Sequence, residues 1–411
     1  MFVVRTGQEG GTNSCMDLPL LVPETNMTEL IFILVNCINF RALMEVVSLT
    51  KKLLSFNTIN PPGNEAQIAL FTGSLLEKEG FVVKYCDFGE NRLHLIAEKG
   101  LSAARPPILL SGHFDTVPLG SSEWSMDPFS GIMSDGKIFG RGASDMKGAL
   151  ASIIIAVVEA SRVDLPGGIR IIFTAGEELG CQGITRMEEE EQLAGNVSAI
   201  IVGEPTGNIP AIGHKGAIYL NATASGKTAH SSMPEMGDNA IYKIVDAIGA
   251  IKKIEFGAEQ DPLLGYPSLN IGKINGGMNI NSVPDHAEFT IDIRTTTKTD
   301  HNTILRKIHK AAGSKIQFEK LVDIDPVFTP VDHPFVKVVI NECTGLGLPG
   351  ALPYLTDEAV LQRFYRAPVV ILGPGEASQA HKTDEWCDIS RLEQSVEIYR
   401  NIILNWSKNN G

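Results

Sequence analysis

Short apolar runs recur along this chain, and each hands over at its end to residues capable of chemistry. Pro107-Ile-Leu-Leu-Ser111 runs into His113-Phe-Asp115, and Gly168-Ile-Arg-Ile-Ile-Phe-Thr174 runs into Gly176-Glu-Glu178. Ser198-Ala-Ile-Ile-Val-Gly203 leads to Glu204, and Pro368-Val-Val-Ile-Leu-Gly373 leads to Gly375 and then His381. Their length and β-branched content predict buried strands of an α/β sheet. Helices alternate with them. Leu43, Val46, Val47, Leu53 and Leu54 recur at helical spacing until Pro61-Pro62 forbids continuation, and a second amphipathic stretch runs from Glu65 to Glu79. Phe81 to Tyr85 and His94 to Ala97 read as short strands. An Ala-rich helix is expected over Ala149 to Val163, and a closing helix over Ser390 to Trp406.

After Thr206 the pattern changes to alternation of period two. Strands are expected at Ala217 to Ala224, Ser268 to Ile274, Ala287 to Ile293 and Lys315 to Phe318, with helices at Asn239 to Ile254 and His301 to Ala312. This is a βαββαβ order, and it predicts an inserted α+β, ferredoxin-like domain over 208–321. The flanking segments 44–207 and 322–411 then build one α/β domain with a mixed sheet flanked by helices.

Composition narrows the function classes. The formal charge of -13, from 35 basic and 48 acidic residues, argues against nucleic acid and against an anionic membrane surface as partners. Six cysteines without a Cys-x-x-Cys pair suit a reduced, cytoplasmic protein with free thiols. Leu30 to Phe40 is too short to span a bilayer, and Glu24 and Glu29 flank it where a signal would carry basic residues, so it reads as neither signal nor anchor.

The chemistry gathers at the strand ends. Adjacent carboxylates at Glu177 and Glu178 repel, and a buried pair requires a proton or a cation. If Glu178 binds a metal, Glu177 is left beside it to take a proton from a metal-bound water; the alternative is a solvated acidic turn. Asp115 lies two residues from His113 on extended chain, where it could orient the imidazole, although most histidines are structural. Asp145 precedes the Ala-rich helix, as an N-cap or as a ligand. It stands 32 residues from His113 and 32 from Glu177, about one βαβ unit each way. Proline after Glu204 stiffens its loop. His113, Asp145, Glu178, Glu204 and His381 together make a donor set for Zn²⁺, with Mn²⁺ or Co²⁺ as substitutes. Five ligands suit two ions sharing one carboxylate.

The runs Ser111-Gly-His-Phe-Asp-Thr-Val-Pro118, Gly140-Arg-Gly-Ala-Ser-Asp-Met-Lys-Gly148, Thr174-Ala-Gly-Glu-Glu-Leu-Gly180, Gly203-Glu-Pro-Thr206 and Ala380-His381 resemble, in order, the motifs of the M20 metallopeptidase family. That family includes acetylornithine deacetylase, succinyl-diaminopimelate desuccinylase, aminoacylase and glutamate carboxypeptidase. The resemblance covers roughly residues 44 to 408. It implies a zinc-peptidase-like catalytic domain with two Zn²⁺: Asp145 bridging, His113 and Glu204 on one ion, Glu178 and His381 on the other. It also implies Glu177 as general base and acid, Asp115 as orienter of His113, and a cis peptide after Asp145.

The inserted domain resembles the family's lid and dimerisation domain, which implies a homodimer. His230 stands where relatives stabilise an oxyanion, often across the subunit boundary. Asn281 and Arg294 match the segment that binds a substrate carboxylate, with an ion pair within the sheet as the competing role for Arg294. Gly373 and Gly375 are expected to let backbone amides approach the substrate. Relatives begin near Met44, so residues 1–43 form an extension and Met44 is a candidate start. Cys181 occupies a place where a small residue such as Ser is expected, and it either packs or is open to oxidation or to stray metal. The expected activity is hydrolysis of the amide bond in a small N-acyl amino acid or short peptide. A carboxypeptidase or dipeptidase, and a catalytically silent metal-binding module, are the alternatives.

Overall fold

The computed structural model describes residues 45–257 and 259–409. The extension over 1–43, the candidate start at Met44 and the apolar stretch Leu30 to Phe40 lie outside them, as do Cys15 and Cys37. The described chain opens with α1 (Val46–Leu54) and α2 (Ala66–Lys78), then β1 (Val82–Gly89), β2 (Arg92–Lys99) and β3 (Ile108–His113). A hairpin of β4 (Ile132–Ser134) and β5 (Lys137–Phe139) leads through a π-turn, Ala143–Lys147, into α3 (Gly148–Ala160). Next come β6 (Ile169–Thr174), α4 (Gln182–Glu189), β7 (Ala199–Val202) and β8 (Ala211–His214). The segment β9 (Gly216–Ser225), α5 (Ala240–Ile251), β10 (Ser268–Gly276), β11 (His286–Thr295), α6 (His301–Ala312) and β12 (Gln317–Ile324) follows. The chain then closes with β13 (Val327–Phe328), α7 (Pro334–Glu342), β14 (Gly350–Leu352), α8 (Glu358–Tyr365), β15 (Val369–Ile371), β16 (Trp386–Asp388) and α9 (Ile389–Asn409).

The main sheet has the order β1-β2-β6-β3-β7-β15-β8-β13, with β14 beside β8. Its centre is parallel: β3 pairs with β6 on one side and β7 on the other, and β7 pairs with β15. The outer pairings β1–β2, β2–β6, β15–β8 and β8–β13 are antiparallel, so the sheet is mixed, as expected. β3, β6 and β7 are buried at every position, which is why they read as unbroken apolar runs. Helix α3 is buried nearly all round and packs between α1 and α9. On α1 the buried positions Val46, Leu49, Thr50, Leu53 and Leu54 fall on one face.

A second sheet of order β10-β11-β9-β12 is antiparallel throughout. Apolar residues of α5 and α6, among them Ile244, Ile251, Ile304 and Ile308, pack against Leu220, Phe289 and Ile291 of its strands. The predicted βαββαβ order is present. Its strands run longer at the C-terminal end than the apolar pattern shows, because β12 continues through exposed Glu319 and Lys320 to Ile324. The sheet spans Gly216 to Ile324, whereas Ala211–His214, placed with the insertion by sequence, pairs in the main sheet.

The equal spacing around Asp145 has a different origin from the one expected. Asp145 follows no strand of the main sheet: β5 is only three residues long and belongs to a small sheet of order β16-β5-β4. Among the described residues no helix is long and apolar enough to cross a membrane. Cys86, Cys181, Cys343 and Cys387 are free and buried, in line with the expected free thiols.

Two buried histidines tie the fold to pH. His94 Nδ1 accepts the Ala175 amide at 3.0 Å, and His214 Nδ1 donates to the Lys215 carbonyl at 2.8 Å. Burial holds both at about 4, below the usual 6.5. The folded protein therefore stays neutral where the unfolded chain takes up protons. This contribution is whole above pH 6.5 and is lost as pH falls through 6.5 towards 4. Over that window the native protein is expected to lose on the order of 3 kcal/mol more stability than a His214→Gln variant. Parallel loss in urea titrations of both proteins would refute this.

Candidate metal centre

Because β3, β6 and β7 run parallel, the residues that follow them emerge on one side of the sheet. His113 ends β3, Glu177 and Glu178 follow β6, and Glu204 follows β7. Asp145 comes from the π-turn, where Gly142 (φ 92°) turns the chain and the Asp145–Met146 peptide is cis. His381 enters from the segment between β15 and β16, with a left-handed backbone (φ 64°). Five predicted ligands thus converge from separate parts of the chain.

They fall into two overlapping groups, His113 with Asp145 and Glu204, and Asp145 with Glu178 and His381. In each, one ligand atom per residue lies within 4.8 Å of the others. His113 Nε2 stands 3.2 Å from Asp145 Oδ1 and 3.7 Å from Glu204 Oε1. His381 Nε2 stands 3.0 Å from Glu178 Oε2 and 3.6 Å from Asp145 Oδ2. Each oxygen of Asp145 therefore faces a different histidine.

The electrostatics call for cations. Burial and the charge of Asp145 push Glu178 up to about 7, against the pull of His381. Glu204 is raised well above the usual range by burial and by Asp145, and Glu177 by burial and by Glu204 and Glu178, which outweigh His113. For His113 burial disfavours the charged form, but the carboxylates of Asp145, Glu204, Glu177 and Asp115 outweigh it and raise the imidazole. Crowded carboxylates with only two histidines must hold protons, or exchange them for metal. Glu178 Oε1 is buried without a hydrogen-bond partner in the protein, and the donor set is that of Zn²⁺. The residues fit metal ions.

Asp115 does more than its spacing predicts. Its carboxylate stops 3.7 Å short of His113 Nδ1, and the contact at 2.9 Å is made by its backbone carbonyl. The carboxylate instead accepts the amides of Gly176, Glu177 and Glu178, and the side-chain amide of Asn60. It clamps the loop that carries the acid pair. The same residue thus faces the imidazole with its carbonyl and carboxylate and holds the loop amides.

Gly373 and Gly375 also serve the chain itself. A Cβ on Gly373 would lie 2.3 Å from the Gly203 carbonyl and 2.5 Å from that of Glu204, and one on Gly375 would lie 2.1 Å from the Ser144 carbonyl. They let the segment after β15 press against the backbones that present Glu204 and Asp145, and neither lines the cavity described below. His230 and Asn281 sit together in the second sheet's loops, where the Ser231 amide donates to the Asn281 carbonyl. Both are exposed, and neither reaches the ligand groups.

Asp145, Glu178, Glu204 and His381 line a cavity of about 540 Å³ together with Glu177, Leu179, Tyr219, Arg294, Tyr354 and Leu355, while His113 is buried behind them. That volume suits a small molecule. Arg294 projects into it over the Tyr219 ring, 5.2 Å from the centroid, while its Nε contacts Asp292 Oδ1 at 2.8 Å. The ion pair within the sheet, the competing role for Arg294, is thus present.

Sequence reasoning missed Glu385. Its buried carboxylate accepts from Arg141 Nη1 (2.7 Å) and from the amides of Gly142 (3.0 Å), Ser144 (2.8 Å) and Asp145 (3.0 Å). It joins the segment bearing His381 to the turn bearing Asp145. The one trace of it was an acid close behind His381 in a run with three charged residues. Tyr219, Tyr354 and the buried Asp357 were missed as well, since nothing local marks them.

Fold and site together define a mixed α/β protein that gathers a metal-binding donor set at the ends of its parallel strands. The chain belongs to peptidase family M20/M25/M40, whose sequence pattern matches residues 109–405. A probable succinyl-diaminopimelate desuccinylase of Staphylococcus epidermidis is 30% identical over 378 residues, covering 82% of this chain and 92% of that protein. Acetylornithine deacetylase of Proteus mirabilis is 30% identical over 356 residues, covering 84% and 90%. Among solved structures, the M20 family metallo-carboxypeptidase Sso-CP2 from Sulfolobus solfataricus superposes with a TM-score of 0.74 at 20% identity, covering 89% of this chain and 99% of that one. Human carnosine dipeptidase 1 gives 0.68 at 18% identity, covering 90% and 98%. The family and these relatives make the protein a metal-dependent hydrolase acting on amide bonds.

Proposed function

We propose that this protein is a dinuclear zinc amidohydrolase that cleaves the amide bond of a small N-acyl amino acid. The observation that carries the reading is the pair of ligand groups sharing Asp145, with its two oxygens turned to different histidines. His113 and Glu204 would hold one ion and Glu178 and His381 the other, with Asp145 between them. When bound, two Zn²⁺ would polarise the scissile carbonyl and acidify the attacking water. Glu177 belongs to neither group and lines the cavity, so it is free to take the water's proton and return it to the leaving amine. Asp115 holds the Glu177 amide and so fixes the base on its loop. Arg294 would receive the substrate carboxylate on the guanidinium edge that Asp292 leaves open, and Tyr219, Tyr354 and Leu355 would flank the rest.

The second sheet with its helices is read as a lid that also pairs two subunits. Tyr242 on α5 is 70% exposed and Ile274 on the edge strand β10 is 59% exposed, surfaces that a second copy would cover. His230 and Asn281 would then act across the subunit boundary.

Metal analysis after mild purification is expected to find two equivalents of zinc per chain. The zinc-loaded protein is expected to hydrolyse members of a panel of N-acetyl, N-succinyl and N-formyl amino acids and to leave dipeptides intact. Cleavage of dipeptides alone would replace this reading with a peptidase, and well under one equivalent of zinc without turnover would replace it with a silent metal-binding module.

A further inference from the structure

Behind the acid pair lies a group of ligating side chains that neither metal position uses in full. Glu177, Cys181 and Asp357 each bring one ligand atom to within 4.8 Å of the other two, and all three are buried. Cys181 precedes α4 in a left-handed backbone (φ 58°), with its Sγ 3.7 Å from Glu177 Oε1. Asp357, 1% exposed, turns its carboxylate into the same cluster: Oδ2 accepts from Thr174 Oγ1 at 2.6 Å, and Oδ1 has no hydrogen-bond partner in the protein. A buried carboxylate oxygen without a donor is costly, and a cation removes that cost.

We propose that Glu177, Cys181 and Asp357 form a third cation site, selective for a borderline or soft divalent ion such as Zn²⁺ or Cd²⁺. One thiolate and two carboxylates are three protein ligands of the kinds zinc takes, and sulfur discriminates against Mg²⁺ and Ca²⁺. Glu177, one of the three, lines the cavity, and Cys181 and Asp357 are buried, so the cavity is the side from which a cation would reach the group. On binding, Cys181 releases its thiol proton to solvent as sulfur takes the ion, with no change of oxidation state. The consequence for activity rests on the reading of Glu177 as the base: an ion held on its carboxylate leaves it unable to accept a proton, so metal beyond two equivalents stops turnover.

The test starts from protein carrying two equivalents of Co²⁺ and titrates in more, recording bound metal, the near-ultraviolet thiolate-to-cobalt absorption, and turnover; Zn²⁺ is titrated in parallel for inhibition. A third equivalent is expected to bring in the thiolate absorption and to lower turnover by at least the roughly 100-fold that loss of a general base costs. Cys181→Ser is expected to abolish the absorption and to raise the inhibitory zinc concentration, relative to its own basal turnover, by more than about tenfold, the lower end of what even an outer partner of a ligand costs. Asp357→Asn, which retains the thiol, supplies a second variant and is expected to shift zinc inhibition in the same direction. A third equivalent without thiolate absorption, an absorption that persists in Cys181→Ser, or zinc inhibition unmoved in both variants overturns the site. Thiolate absorption with turnover unaffected upholds the site and overturns Glu177 as the base.

Discussion

Glu177→Ala is expected to lower kcat roughly 10²- to 10⁴-fold, the usual worth of a positioned general base. Metal content is expected to stay at the native level, because Glu177 belongs to neither of the two ligand groups that share Asp145. Its backbone position is held independently of its side chain by the amide donated to Asp115 Oδ1 at 3.1 Å, so the loop keeps its shape when the carboxylate is removed. Steady-state kinetics with metal analysis on the same sample separates the two effects. Turnover unchanged at full metal occupancy would remove Glu177 from the chemistry, and loss of metal in step with activity would make it a ligand.

Glu385→Ala is expected to be the most damaging substitution away from the ligands. The carboxylate is fully buried and neutralises Arg141, itself 1% exposed, so truncation leaves a buried guanidinium without its counter-charge, still held by the Lys382 and Pro118 carbonyls, and three backbone amides without their acceptor. Breaking a buried pair from one side costs about 3–5 kcal/mol. One of those amides belongs to Asp145, so the loss also loosens the carboxylate that both ligand groups share. Thermal unfolding is expected to shift down by several degrees, and bound metal is expected to pass more readily to a chelator. Glu385→Gln keeps an acceptor and forfeits the charge, and is expected to fall between the two. A native melting temperature with native resistance to chelation in the alanine variant would refute the role.

Much of the fold was legible because the central strands are buried on both faces and so carry no polar interruption. The ligands were legible for the same reason: His113, Glu178 and Glu204 stand out where an apolar run ends. Local patterning fails where a residue's partner is distant in the chain. Glu385 meets its donors more than 200 residues upstream, and nothing near it in sequence announces the arginine and the three amides it must satisfy. Asp357 and Glu358 open α8 as acids commonly do at a helix start, yet both are buried, and both oxygens of Glu358 lack a partner in the protein. Asp115 and the pair Gly373 and Gly375 were located, but contacts that their spacing does not announce went unseen. Proximity in sequence pointed to the imidazole, and the glycines to a substrate; the structure adds contacts to distant backbone segments in both cases.

The overlap of the two ligand groups at Asp145 also sets an order of assembly during synthesis. The first group is complete in sequence once Glu204 has been made, after the parallel centre formed by β3, β6 and β7. The second lacks a member until His381, which the ribosome adds only after the whole second sheet and β15. A nascent chain therefore carries every residue of one ligand trio while the other still waits for its last histidine, and Glu385, which holds the Asp145 turn, arrives only with that second trio.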